Sequence, residues 1–180
     1  MLNSPLMWWH NWRYLPHMKD EALSPMGRLM ESLPIAEPTP AIREAAETAV
    51  RRLIEITASR QETHRVLHDW LRVEFAIEKP SNKLHNLTAL DSDAFIAEVK
   101  HLRGRKLPLT VAGLQALRQE HTTTIEPARH RAAEALALEQ QINHLVNHAY
   151  ALTPAETALL WSTAPPRMPI PPDERMVSGK

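Results

Sequence analysis

Two long stretches of the chain repeat apolar residues at the three- and four-residue spacing of an α-helix. From Ala41 to Ile77 the repeat falls on Ile42, Ala46, Ala49, Leu53, Ile56, Leu67 and Trp70, with Arg60 and Thr63 interrupting it. From Thr110 to Tyr150 it falls on Leu114, Leu117, Ile125, Ala128, Ala132, Ala135, Leu138, Ile142, Leu145 and Ala149. The first helix would be over about 50 Å long, and a narrow apolar seam on such a helix is typical of a coiled-coil arm. We therefore predict a mainly α fold in which two long antiparallel helices form a coiled-coil-like hairpin, accompanied by short helices.

Helix ends are marked by capping residues and by prolines. Side chains that accept hydrogen bonds stand at the expected helix starts: Asn3 or Ser4, Thr39, Asp91, Thr110 and Thr153. Thr153 is followed by Pro154 and Glu156, the spacing of a capping box. Gly104 is expected to close the short helix that begins after Asp91. Pro127 lies inside the second long stretch, where it predicts a kink or an interruption.

Residues 27–35, with the sequence GRLMESLPI, alternate loosely between apolar and polar positions and end near Pro34. This predicts one strand, and a lone strand needs partners that the remaining sequence does not offer. The interpretation is an orphan strand that completes a sheet formed by residues preceding Met1. We divide the chain accordingly into a first segment (1–38), a helical domain (39–164) and a proline-rich, disordered tail (165–180).

Composition narrows the classes of function. The chain has 180 residues, of which 21 are acidic, 21 are basic, 10 are histidine and none is cysteine. The balanced charge provides no general attraction to nucleic acid, so any DNA contact depends on a local patch. Without cysteine, disulfides and thiolate chemistry are excluded. The apolar start of the chain is shorter than a membrane span and lacks the features of a signal peptide, so we expect a cytoplasmic protein without membrane contact.

No complete catalytic motif is present, so no catalytic residue is predicted. Glycine-rich phosphate loops and nucleophile elbows are absent from the sequence. His64 and His68, like His144 and His148, have the i, i+4 spacing that can bind a metal, but they lack the glutamate of a metalloprotease motif and an evident third ligand. We therefore predict no metal site, and hold a metal-dependent enzyme only as a third hypothesis.

Two clusters are candidate binding residues. The basic cluster consists of Lys100, His101, Arg103, Arg105 and Lys106. Of these, Lys100, Arg103, Arg105 and Lys106 are the candidate phosphate contacts, with a solvated loop end as the alternative. The tryptophans near the start, at Trp8, Trp9 and Trp12, are predicted to pack in a core or a protein interface, with base stacking as the alternative.

Several motifs resemble one protein family. The chain carries WLRVEFAIEKPSNKLHNLTALDSDAF at 70–95, LEQQINHLVNHAYALTPAETALLWSTAPPRMP at 138–169, and LNSPLMWWHNWRYLPHMKDEAL followed by MESLPIAEPTP within 2–40. Together these resemble the C-terminal region of adenine-specific DNA methyltransferases of the type IIG and BREX-like class. The resemblance implies the end of a TaqI-like target-recognition domain followed by a helical spacer. AYALTPAE and APPRMP are its most specific portions.

The same resemblance implies that the catalytic parts lie elsewhere. The family's S-adenosylmethionine pocket and its asparagine-proline-proline-aromatic motif have no counterpart here, so no cofactor is expected in this chain. Ala151 stands where the family often has glycine, a departure that predicts an altered turn before Thr153. The leading hypothesis is a non-catalytic DNA-recognition and spacer part of a truncated or split methyltransferase. The alternative is a helical protein–protein interaction module with no DNA contact. The candidate partners are DNA, a separately encoded catalytic subunit and a second copy of the chain packed through the helical seams.

Overall fold

The computed structural model describes residues 3–18, 23–24, 27, 31–104 and 108–172. Within these ranges the protein is mainly helical and contains no strand, which confirms the predicted fold class. The helices are α1 (Pro5–Tyr14), α2 (Pro40–Phe75), α3 (Asn82–His85), α4 (Ser92–Arg103), α5 (Val111–Glu120), α6 (Glu126–Ala149) and α7 (Pro154–Ser162). None of them combines the length and the hydropathy that crossing a membrane requires.

The helix starts follow the predicted capping residues. Ser4, Asp91, Thr110 and Thr153 each accept a hydrogen bond from a backbone N–H in the first turn of the helix that follows. Thr153 and Glu156 form the complete capping box at the start of α7. Such bonds satisfy N–H groups that have no partner inside the helix, which is why these positions could be predicted from local sequence.

The interruption predicted at Pro127 takes the form of a π-helical segment, His121–Ile125, between α5 and α6. Proline has no N–H to donate and its ring crowds the preceding turn. A wider helical turn immediately before it relieves this conflict without ending the helix. Helical conformation therefore continues from α5 through the π-helical segment into α6.

The chain divides into two compact units. The terminal unit comprises Met1–Arg51 and Leu136–Lys180, and the central unit comprises Arg52–Ala135. The central unit contains a hydrophobic core whose buried members are Leu67, Leu71, Phe75, Ile77, Leu84, Leu87, Phe95, Ile96, Val99, Leu117 and Ile125. These residues come from α2, α3, α4, α5, the segments between them and the π-helical segment after α5, so the short helices close the core around the end of α2.

Hydrogen bonds to backbone carbonyls fix the segment between α3 and α4 in the central unit. The guanidinium of Arg129 donates to the carbonyl oxygens of Thr88 and Leu90, at 2.9 and 2.6 Å. The ring of His121, which is buried, also bonds the Leu90 oxygen at 3.0 Å. Buried carbonyl groups need partners, and these two side chains supply them where no regular backbone ladder can.

In the terminal unit, α6 ends in a Schellman motif. The N–H of Ala151 donates to the carbonyl oxygen of His148, and the N–H of Leu152 to that of Asn147, both at 3.0 Å. This geometry requires a left-handed residue after the helix, and Ala151 has a φ of 52°. Glycine adopts that conformation at lower cost, so alanine at this position is strained by the left-handed backbone.

The orphan strand predicted for 27–35 is wrong where the structure describes it. Gly27 and Glu31 are helical, and 33–35 have no ladder partner; residues 28–30 lie outside the described part. An alternating sequence forms a strand only when a second strand supplies hydrogen bonds, and none is present among the described residues. The coiled-coil pairing of the two seams stays a prediction.

Packing extends into the segment for which a disordered tail was predicted. Pro165 and Ile170 are buried. The indole N–H of Trp8 donates to the carbonyl oxygen of Pro166 at 2.9 Å. Part of 165–172 therefore packs against the terminal unit, and residues 173–180 lie outside the described part.

Candidate interaction surfaces

An apolar groove of about 540 Å³ runs between the start of α2 and the end of α6 in the terminal unit. It is lined by Pro38, Ile42, Arg43, Ala46, Glu47, Val50, Arg51, Ile142, Leu145, Val146 and Ala149. Two helices that lie side by side present ridges of side chains with a furrow between them, and a third helix can pack in such a furrow. The groove therefore has the form of a site for one more helix.

The groove is the open part of the two predicted seams. Ile42 and Ala46 belong to the first seam, and Ile142, Leu145 and Ala149 belong to the second. These five side chains are only half-buried, whereas seam residues in the central unit, such as Leu67 and Leu117, are completely buried. The accessible side chains of the seams form an apolar surface that another helix could cover.

The charged residues of the groove all come from α2. Arg51 is paired with Glu47 at 3.5 Å, and both side chains are largely exposed, so this pair contributes little to stability. Arg43 forms no ion pair with any described residue. One side of the groove therefore carries a net positive charge, which would complement an acidic side chain on an occupant.

Backbone and side-chain contacts hold the entrance of the groove. The hydroxyl of Tyr150 donates to the carbonyl oxygen of Pro34 at 2.7 Å, which fixes the segment before α2 beside the end of α6. Thr39 accepts from the N–H of Ile42 at 3.4 Å, so the start of α2 is capped next to the groove. The groove thus lies on defined helices, not on loops, and offers an ordered surface.

The predicted interface tryptophans contact the chain's own C-terminal segment. Trp9 donates its indole N–H to the hydroxyl oxygen of Thr163 at 2.8 Å. The guanidinium of Arg13 lies 3.8 Å above the ring of Trp9 and donates to the Thr163 carbonyl oxygen at 2.9 Å. Trp12 packs against Trp8, with 6.0 Å between ring centroids. These contacts connect α1 to the residues after α7, and they provide part of the packing that tryptophans require.

The structure describes only part of the predicted basic cluster. Lys100 is exposed on α4, while Arg105 and Lys106 lie outside the described residues. Arg103 is partly buried, and its guanidinium lies 5.6 Å from the centre of the Phe75 ring. It lines a cavity of about 410 Å³ together with Trp70, Glu74, Pro108, Thr110 and other residues of the central unit. Arg103 therefore has a packing role besides any contact with phosphate.

The histidine pairs have different surroundings. His144 and His148 are both exposed on α6. In the central unit the ring of His85, on α3, joins the pair of His64 and His68, with centroid distances of 5.7 and 5.2 Å. No group of three histidine, aspartate or glutamate side chains among the described residues is arranged to hold a metal ion. His85 could not be recognised as part of this group from the sequence, because it comes from a separate short helix.

Comparison with known families provides one match. A family model described as a domain of unknown function, DUF8810, matches residues 39–146. The chain belongs to the DUF8810 family. The matched region begins at Thr39, the residue that caps α2, and ends within the C-terminal part of α6. Neither a curated protein nor a solved structure matches the chain.

Proposed function

We propose that this DUF8810 chain is a non-catalytic helical module that binds an amphipathic helix of another polypeptide in the groove between α2 and α6. The observation that carries the proposal is the groove itself, an aliphatic furrow between two capped helices whose seam residues stay half-buried. Binding of an amphipathic helix in such a groove uses apolar anchors at i, i+3, i+4 and i+7. The unpaired Arg43 favours an occupant with acidic residues beside its apolar face.

The partner we propose is the catalytic part of an adenine-specific DNA methyltransferase. Support for this partner comes from the sequence, through the motifs at 70–95 and 138–169 and the absence of the family's catalytic motif. In this proposal the chain acts as the helical spacer of a split or truncated enzyme. Contact with DNA through Lys100, Arg103, Arg105 and Lys106 is a separate prediction, because docking of a protein helix does not depend on it.

The experiment is to co-express the chain with the methyltransferase encoded nearest to its gene and to purify any complex. The affinity between the two proteins is then measured. Val50→Glu places a charge in the groove at a side chain that is 44% exposed, so the fold tolerates it. Ile54→Glu is the matched control, since Ile54 is 63% exposed on the same helix and does not line the groove. We expect Val50→Glu to weaken binding at least about tenfold, equivalent to roughly 1.4 kcal/mol, and Ile54→Glu to have little effect.

The outcomes separate the two parts of the proposal. If both variants bind the methyltransferase part equally well, the groove is not the binding site. Absence of any complex with the methyltransferase part would contradict the proposed partner. A charge exchange at Arg43 tests the chemistry of the occupant: Arg43→Glu is expected to weaken binding, and an unchanged affinity would contradict an acidic flank on the bound helix.

A further inference from the structure

Three imidazole rings from two helices meet at the surface of the central unit. His64 and His68 lie one turn apart on α2 with nearly perpendicular rings, and the ring of His85 on α3 packs against His68 in the same manner. A ring nitrogen of His68 bonds the carbonyl oxygen of Leu84 at 3.3 Å. Leu84 itself is completely buried in the core, so this contact connects the histidines to the residue that anchors α3.

The cluster is surrounded by positive charge and by carboxylates that already have partners. Burial of the ring is the largest cause of the lowered pKa of His64, and the nearby His68, Arg60 and His85 lower it further. Arg60 lies one turn before His64 on α2. On α4, Glu98 accepts from the Ser81 hydroxyl at 2.7 Å and pairs with Lys83 of α3 at 3.3 Å.

On α2 itself, the remaining charged side chains next to the cluster pair with one another. The carboxylate of Asp69 is bonded by Arg72 at 3.0 Å and by Arg65 at 3.5 Å. Arg65 also pairs with Glu62 at 2.6 Å. The negative charges in this region are thus engaged by arginines or by the residues of α3, and none of them is paired with an imidazole of the cluster.

We propose that the cluster of His64, His68 and His85 makes the packing of α3 against α2 sensitive to acid. When more than one ring takes up a proton, like charges lie about 5 to 6 Å apart, beside Arg60. Moving α3 away from α2 separates the charge on His85 from the charges on α2. Acid therefore favours the open arrangement, and the closed arrangement is favoured above the ordinary range of histidine titration.

The direction of the pH dependence follows from proton linkage. His85 of α3 is one of the groups that lower the pKa of His64, so moving α3 away raises that pKa toward 6.5, the ordinary value for histidine, and the open state binds more protons below that pH. Stability due to the closed arrangement is present above that pH and is lost as the pH falls toward the lowered value. Each additional proton bound on opening raises the opening equilibrium by up to about tenfold per pH unit.

Hydrogen exchange of the full chain tests this inference. The N–H groups of His85 and Asn86 donate to the carbonyl oxygens of Ser81 and Lys83, both at 3.0 Å, so their protection reports whether α3 is formed and packed. After correction for the intrinsic rate of exchange, we expect protection at these amides to fall about tenfold between pH 7.5 and 5.5. The amides of α5 serve as the internal reference.

Two variants test whether the histidine cluster causes the pH dependence. His64→Gln removes the half-buried titrating ring, and His85→Gln removes the exposed ring on α3, a change that leaves the core intact. Each is expected to reduce the pH dependence at least threefold, while His130→Gln, at an exposed histidine elsewhere in the central unit, should leave it unchanged. Equal pH dependence in wild type and in His85→Gln would overturn the proposal, as would a wild-type protein whose α3 keeps its protection at pH 5.5.

Discussion

Two isoleucines of α2 provide a direct test of the helix register. Ile56 is 4% exposed and Ile54 is 63% exposed, although they lie only two residues apart. Two residues correspond to about 200° around a helix, so the two side chains point in opposite directions. Replacing each in turn by alanine applies the same chemical change to a buried and an accessible position.

The expected magnitudes differ because burial differs. Ile56→Ala removes apolar contacts and leaves a cavity, which typically costs about 2 to 5 kcal/mol. Ile54 keeps about a third of its surface buried, so its loss costs roughly 0.5 to 1 kcal/mol, and the higher helix propensity of alanine offsets about half of that. The propensity gain is common to both variants and cancels in their difference. The free energy of unfolding should therefore differ by about 1 to 4.5 kcal/mol.

The assay is thermal and guanidinium unfolding followed by circular dichroism. For a chain of this size, each kcal/mol shifts the Tm by about 2 to 4 °C, so Ile56→Ala should melt about 2 to 18 °C below Ile54→Ala. Equal losses for the two variants, or a larger loss for Ile54→Ala, would refute the register of α2 and with it the assignment of residues to the groove.

Three further predictions concern backbone conformation and charge. Gly104 has φ 69° and ψ −179°, a region that only glycine populates readily, so Gly104→Ala should cost about 1 to 3 kcal/mol in denaturant titrations, even though, among the described residues, nothing beyond its chain neighbours lies within 4 Å of the added methyl group. Ala151→Gly relieves left-handed strain of about 1 to 2 kcal/mol, less the entropy that glycine loses on folding, so we expect a small gain in Tm; a decrease would contradict the left-handed assignment. Combined replacement of Arg103, Arg105 and Lys106 by alanine should flatten the salt dependence of any DNA binding, and an unchanged slope would remove these residues as phosphate contacts.

Features determined by neighbouring residues could be predicted from the sequence. Thr110 and Thr153 cap their helices because the bonded N–H groups lie within the next turn. Pro127 marked the position of the π-helical segment because proline conflicts with its own preceding turn. In each case the physical cause lies within about one turn of helix, and the sequence displays it directly.

Features that depend on distant partners could not be predicted in the same way. The strand expected at 27–35 had an alternating pattern, but a pattern does not supply a second strand. Trp8 and Trp9 were expected to pack, yet their bonds to Pro166 and Thr163 join opposite ends of the chain.

The groove and the histidine cluster also depend on distant partners and could not be predicted from the sequence. The helical seams identified Ile42 and Ile142 as apolar positions but could not indicate that they face an open groove, because the helix periodicity of a seam is the same whether its face is covered or not. His64 and His68 were visible as a pair, whereas the third ring, that of His85, depends on how α3 packs against α2.

The central claim is that a partner helix occupies the groove of the terminal unit. Hydrogen–deuterium exchange of the purified chain, alone and in complex with the co-expressed methyltransferase part, tests it most directly. We expect new protection on complex formation over residues 42–51 and 142–149, with little change at 92–103. Protection that appears elsewhere, while both groove segments exchange as they do in the free chain, would show that the partner does not bind in the groove.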